Sequence, residues 1–191
     1  MVSICSLKYS GEGICQVFLP ISYTDGPLMT PLSLLIRKVL MSAITQQLSK
    51  LGITLSTPSA PAAAYVMAVT SGNQVYLSGH IAKQDGKPWV GKLGLDMDTA
   101  TGKAAARSIA IDLLSTLNAH LGSLDRVKRI VKLMGLVNST AEFTEHHLVV
   151  NGCSELLGEI FGDVGKHARS AFGVAPIPLG ACVEIEMIIE I

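Results

Sequence analysis

Two residues near the end of this chain, Arg169 and Glu184, have types and spacing that could do chemistry. They stand in HARSAFGVAPIPLGACVEIEMIIEI, which runs from His167 to Ile191. A guanidinium is a permanent cation with a planar fork of donors, and a carboxylate can take up or release a proton. Side by side they form either a rim salt bridge of little energetic worth or the charged pair of an active site. Spacing alone favours the salt bridge, because surface ion pairs are common and active sites are few. What could raise the pair above that is the set of elements that positions it.

The final run alternates cleanly. Ala181, Val183, Ile185, Met187, Ile189 and Ile191 share one parity, and Cys182, Glu184, Glu186, Ile188 and Glu190 share the other. Successive strand residues point to opposite faces, so this is a strand with an apolar face and a carboxylate-rich face. Upstream, SAFGV is short, apolar and strand-like, and PIPLG supplies a Pro-and-Gly turn. The expectation is a hairpin that brings Arg169 back toward the middle of the last strand, beside Glu184.

The rest of the chain reads as follows. SAITQQLSKLGI is an opening helix with Ser42 as its N-cap and Gly52 at its end. In YVMAVTSGNQVYLSGHIA, Tyr65–Thr70 and Gln74–Ser78 read as a hairpin turning on Ser71-Gly72-Asn73. Gly79, which closes it, suits a bulge or a close approach of ligand to backbone. Residues 83–94 form a loop whose Trp89 packs onto the body. A long helix spans Thr99–Leu121, with Ala106, Ala110, Leu113, Leu114, Leu117 and Leu121 on one face and Gly122 ending it. Arg126–Val137 alternates as a strand, with Val127, Val131, Leu133 and Val137 on one parity and Lys128, Ile130, Lys132 and Met134 on the other. A loop carrying Glu142, Glu145, His146 and His147 follows. Adjacent histidines on such a loop hold no fixed metal geometry, so exposed polar residues are the reading there. A second helix covers His147–Phe161, with Val149, Cys153, Leu156 and Ile160 inward. The sum is an α+β fold with two helices covering one face of a sheet. The semi-polar second face suggests packing against copies of the same chain, with polar sites at the subunit junctions.

Composition narrows the function classes. With 15 basic and 15 acidic residues among 191, the chain has no basic excess for nucleic acid or an anionic membrane. No apolar run reaches bilayer-spanning length. Cys5, Cys15, Cys153 and Cys182 show neither zinc spacing nor the density of a disulfide scaffold, which makes a reducing, cytoplasmic setting the default. Residues 1–26 lack helical or strand period, PLSLLIRKVL could make a short amphipathic helix, and the segment fits secretory and mitochondrial leaders poorly. Residues 1–40 read as an N-terminal extension, and residues 41–191 as the compact domain.

Taken together, YVMAV…NQVYLSGHI, DRVKRIVKLMGLVNSTAEF, HARSAFGV and PLGACVEIEMI resemble the Rid family. These are the reactive-intermediate imine/enamine deaminases, or YjgF-like proteins, also called endoribonuclease L-PSP. The resemblance runs from about Leu51 to Ile191 and implies a chorismate mutase-like α+β fold, a homotrimer, and sites between subunits. It implies hydrolysis of 2-imino acids such as 2-iminopropanoate and 2-iminobutanoate to 2-oxo acids and ammonia, with no metal or organic cofactor. By position, the family's substrate-binding arginine falls on Arg169 and its catalytic glutamate on Glu184. Tyr65, Gly79 and Asn151 fall on substrate-binding positions. On this reading Arg169 grips the carboxylate bidentately and Glu184 activates a water for attack at the imine carbon. Two departures from the family pattern, Ala171 where the archetype has cysteine and a longer loop before the second helix, alter the pocket wall. The alternatives are a non-catalytic binder of small carboxylates, which would keep Arg169 without needing Glu184, and an endoribonuclease or translation inhibitor. Neutral charge and the lack of stacking aromatics argue against the last.

Overall fold

A computed structural model describes residues 42–191 apart from 59 and 62. The extension expected over residues 1–40, with the short amphipathic helix read in PLSLLIRKVL, lies outside the described residues. In chain order the elements are α1 (Ala43–Lys50), β1 (Ala68–Ser71), β2 (Gln74–Ile81), the short β3 (Lys83–Gln84) and β4 (Lys87–Pro88), α2 (Thr99–Leu121), β5 (Arg129–Asn138), α3 (His146–Phe161), β6 (Ala168–Val174) and β7 (Val183–Glu190).

Local chemistry sets the helix ends. The Ser42 side chain accepts from the Thr45 amide at 3.1 Å to open α1. Asp98 does the same for Thr101 at 2.8 Å to open α2. Gly122, at φ 79°, ends α2 in the left-handed conformation that glycine adopts without a Cβ penalty. The apolar face of α2 is buried as its spacing predicts, and Leu113, Leu114 and Leu117 are fully enclosed. Each such leucine stabilises the fold by roughly 1.5–3 kcal/mol relative to an exposed one. Helix α3 buries Val149, Cys153, Leu156 and Ile160. The two helices cross closely at Gly152, where a Cβ would collide with the Lys103 carbonyl. Ion pairs Lys103–Glu155 (2.8 Å) and Arg107–Glu159 (3.0 Å) flank the crossing at the surface. Trp89 packs against the core, as its loop position suggested.

The five-stranded sheet runs β1-β2-β7-β5-β6, and all neighbours are antiparallel except β5 and β6. This is the mixed sheet of a chorismate mutase-like α+β fold, with α2 and α3 on one face. The expected hairpin of β6 with β7 does not form. Strand β5 lies between them, and β6 pairs in parallel with β5 instead. The physical reason is the β5-α3-β6 unit: a strand, a 16-residue helix and a strand form a crossover, which returns parallel beside its first strand.

Two other expectations change. Strand β1 begins at Ala68, so Tyr65 precedes it. In β5 the alternation read from sequence breaks at a register shift between Ile130 and Lys132. Ile130, expected on the lysine-bearing face, is therefore fully buried along with Leu133.

Candidate active site

Arg169 is the second residue of β6, an edge strand, and its Cα partner is Leu133. Leu133 is buried beneath the helices, so Arg169 projects to that same face and meets α3. One amino group of the guanidinium, Nη1, donates to Asn151 Oδ1 at 2.8 Å and to Ser154 Oγ at 3.1 Å. The other, Nη2, donates to the His147 carbonyl at 3.1 Å. His147, Asn151 and Ser154 are spaced four and three apart, the spacing that stacks residues along one side of a helix. Three of the five guanidinium N–H groups are thereby engaged. By count, Nε–H and one Nη2–H remain for a ligand among the described residues.

Glu184 belongs to a different part of the sheet. It lies on β7 opposite Ile81 of β2 and Leu136 of β5. Its neighbours Val183 and Ile185 are buried under the helices, so Glu184 projects from the opposite, open face. Between Leu77 and His80, β2 bulges: Ser78 and Gly79 together span the place of the single residue Glu186. The Glu184 carboxylate lies directly over Gly79, and any Cβ there would strike Glu184 Oε1. The close approach expected at Gly79 is thus made by a side chain of the same protein. Partial burial raises the Glu184 pKa above the ordinary carboxylate value, and the nearby Glu186 raises it further.

Ser78 ties the entry segment to this region. Its Oγ donates to the Val66 carbonyl at 2.7 Å, and its amide donates to the Met67 carbonyl at 3.0 Å. Tyr65 stands at the head of that held segment and is 44% exposed. Tyr65, Gly79 and Glu184 accordingly belong to one region, and Asn151 and Arg169 to another. Within a single chain these regions do not meet. Arg169 and Glu184 sit two strands apart, about 10 Å across the sheet and about 10 Å along it, on opposite faces.

Sequence reasoning missed three polar residues here. Ser154 follows Asn151 by three positions, and that helical spacing was the available signal. His167 opens the HARS motif, and its ring joins Ser154 to the Gly165 carbonyl. Ser78 precedes Gly79 directly. The loop cluster before α3 is taken up locally: His146 meets Ser139 Oγ at 3.0 Å and packs edge-on against Phe143, and Glu145 accepts from Thr99. Among the described residues no group of three or more His, Cys, Asp or Glu side chains is placed to hold a metal ion. His80 is buried between Ser78 and Thr116 of α2, where desolvation lowers its pKa.

Residues 45–191 match the model of the family described as "YjgF/chorismate mutase-like, putative endoribonuclease". The chain belongs to the YjgF, or Rid, family. It is 46% identical over 150 residues to Protein TCP17 of Trypanosoma cruzi, covering 78% of this chain and 94% of that one. Among solved structures, Atu1372 of Agrobacterium tumefaciens, a protein of unknown function, superposes with a TM-score of 0.72 at 41% identity, covering 78% of this chain and 92% of that one. A Shewanella oneidensis protein given the same endoribonuclease description superposes with a TM-score of 0.75 at 29% identity, covering 78% of this YjgF chain and all of the other.

Proposed function

We propose that this YjgF-family chain hydrolyses reactive 2-imino acids, such as 2-iminopropanoate, to 2-oxo acids and ammonia at sites shared between the subunits of a homotrimer. One observation carries the reading. Arg169 and Glu184 are each prepared for their part, yet they project from opposite faces of one sheet, so only a neighbouring copy can complete the pair. The open face is suited to a neighbour, because it displays Tyr76 and Phe172, each 43% exposed, together with Val69.

In this reaction Arg169 grips the substrate carboxylate through its free donors, and Asn151 holds the guanidinium in place for it. Glu184 takes a proton from water as the oxygen attacks C2 of the imine. Passing that proton to nitrogen gives the carbinolamine; Glu184 then carries the hydroxyl proton to the same nitrogen as the C–N bond breaks, leaving the carbonyl of the 2-oxo acid and releasing ammonia. A carboxylate with a raised pKa is the better base for this step. Tyr65 and the Gly79 backbone form the wall on the Glu184 side. The imine is already electrophilic, so the chemistry calls on no metal or organic cofactor. The free thiols of Cys153 and Cys182, both buried, suit a reducing cytoplasmic setting, and burial holds Cys153 at a pKa of about 12.

The test is complementation between inactive variants. Arg169→Lys and Glu184→Gln are expected to be nearly inactive alone. Co-expressed in equal amounts, they should recover about a quarter of the wild-type rate, the share of junctions that receive both intact residues when the two kinds of subunit assort at random into trimers. No recovery in trimers shown to be mixed would overturn a shared site. A wild type that binds 2-oxo acids but never accelerates hydrolysis of imines generated in situ would leave the non-catalytic carboxylate binder instead.

A further inference from the structure

We propose that His167 and Ser154 are positioning residues that orient Arg169 for carboxylate binding through the chain Gly165 carbonyl–His167–Ser154–Arg169; this rests on the reading of Arg169 as the carboxylate grip. The direction of every hydrogen bond in this chain follows from chemistry. The Gly165 carbonyl can only accept, so His167 Nδ1, at 2.7 Å, carries the proton. A neutral ring protonated there leaves Nε2 as an acceptor, and the Ser154 hydroxyl, at 3.0 Å, donates to it. With its proton committed, Ser154 Oγ turns a lone pair toward Arg169 Nη1 at 3.1 Å. Arginine has no acceptor, so with the ring neutral no other arrangement satisfies all four groups.

The surroundings keep the ring in this state. His167 is partly buried, and that burial lowers its pKa against the opposing pull of the Gly165 carbonyl, with the Arg169 charge adding to the lowering. The cation acting on it from β6, which follows it, is Arg169. Lys166, the preceding residue, is turned away into an ion pair with Asp163 at 2.7 Å. Position matters for the ligand as well. Asn151 and Ser154 together occupy both Nη1 hydrogens, and this fixes the rotation of the guanidinium plane and hence the direction in which Nε–H and Nη2–H point. Without the imidazole, the Ser154 hydroxyl is free to rotate and to present its proton toward the cation.

The experiment measures pyruvate binding by calorimetry together with nitrogen-15 NMR of the side chains. Ser154→Ala should weaken binding about tenfold, the scale for loss of one hydrogen bond to a charged group. His167→Phe fills the same space without an acceptor and should weaken it by several-fold. His167→Gln, whose amide oxygen can accept where Nε2 does, should restore most of the loss. In the double variant, His167→Phe should add nothing to Ser154→Ala. The NMR should show the Nδ1–H tautomer of His167 and a sharp Arg169 Nε–H resonance in the wild type, with the latter broadened in Ser154→Ala and His167→Phe. Wild-type affinity in His167→Phe, or losses that multiply in the double variant, would overturn the proposal. If wild-type protein binds no pyruvate or other 2-oxo acid, the deaminase reading fails, while the Arg169 resonance still decides whether the chain of hydrogen bonds orients it.

Discussion

The two charged regions of this molecule are built on opposite plans. Around Arg169 the hydrogen bonds are saturated on one side: Asn151, Ser154 and the His147 carbonyl take three of its N–H groups, and α3 supplies all three acceptors from one surface. Around Glu184 the surroundings are lean. Among the described residues its carboxylate accepts no hydrogen bond, lies against the bare backbone of Gly79, and has Glu186 as a like-charged neighbour. The difference matches two chemical tasks. A residue that orients a ligand gains from being locked, since the ordering cost is met during folding rather than during binding. A residue that moves protons gains from unspent lone pairs and a raised pKa.

The sharpest way to break this comparison is to exchange charge chemistry while keeping shape. Glu184→Gln should lower imine hydrolysis by roughly two to four orders of magnitude, the range for loss of a general base, and leave 2-oxo acid binding intact. Arg169→Lys should lose both, because lysine keeps the charge without the planar fork. Steady-state hydrolysis beside calorimetric titration separates the two outcomes, and unchanged hydrolysis in Glu184→Gln would remove Glu184 from the mechanism.

A smaller effect is expected at Gly79. The added methyl of Gly79→Ala meets the flexible tip of Glu184 rather than backbone, so the carboxylate shifts and the fold adjusts. Activity should fall about tenfold or more, as for a misplaced catalytic group, while the melting temperature changes by only a few degrees. A collapse of the melting temperature would show that the bulge, not the carboxylate, is what the glycine serves.

Smaller still is the stability cost of Glu184 itself. Its pKa is raised in the fold, so the ionised form is disfavoured there relative to the unfolded chain, where the ordinary value of 4.5 applies. That cost is absent below the unfolded value and is fully present above the raised one. Glu184→Gln should therefore melt slightly higher than wild type at pH 7, with the gap closing as the pH falls toward 4.5. Thermal melts across that range provide the check, and a variant less stable at pH 7 would mean that the carboxylate contributes to the fold. Least of all should change on removing residues 1–40. A chain starting at Met41 should keep its fold, melting temperature and oligomeric state in thermal melts and light scattering, because residues 1–40 carry no sequence pattern that the compact domain requires.

What the sequence determined on its own was whatever depends on near neighbours along the chain. Caps at Ser42 and Gly122, the apolar stripes of α2 and α3, and the alternation of β7 all follow from three-, four- or two-residue spacing. Those same patterns, with the likeness of HARSAFGV and PLGACVEIEMI to the Rid family, were enough to single out Arg169, Glu184, Tyr65, Gly79 and Asn151. Tertiary structure alone decided which strands lie side by side. A short apolar strand followed by a Pro-Gly turn is as compatible with a hairpin as with an edge strand whose neighbour comes from far upstream. The choice of β5 as partner for β6, and of β7 as the strand inserted between β2 and β5, depends on how α2 and α3 cover the sheet. Gly79 had marked the bulge at Ser78–Gly79, but the one near Val131 was hidden for the same reason. A bulge is a relation between two strands, and one extra residue in a strand leaves no mark on its own periodicity until the partner is in place. The strand pairing, with β5 between β6 and β7, reversed the meaning of the Arg169–Glu184 pair, from neighbours on one hairpin to residues on opposite faces of one sheet.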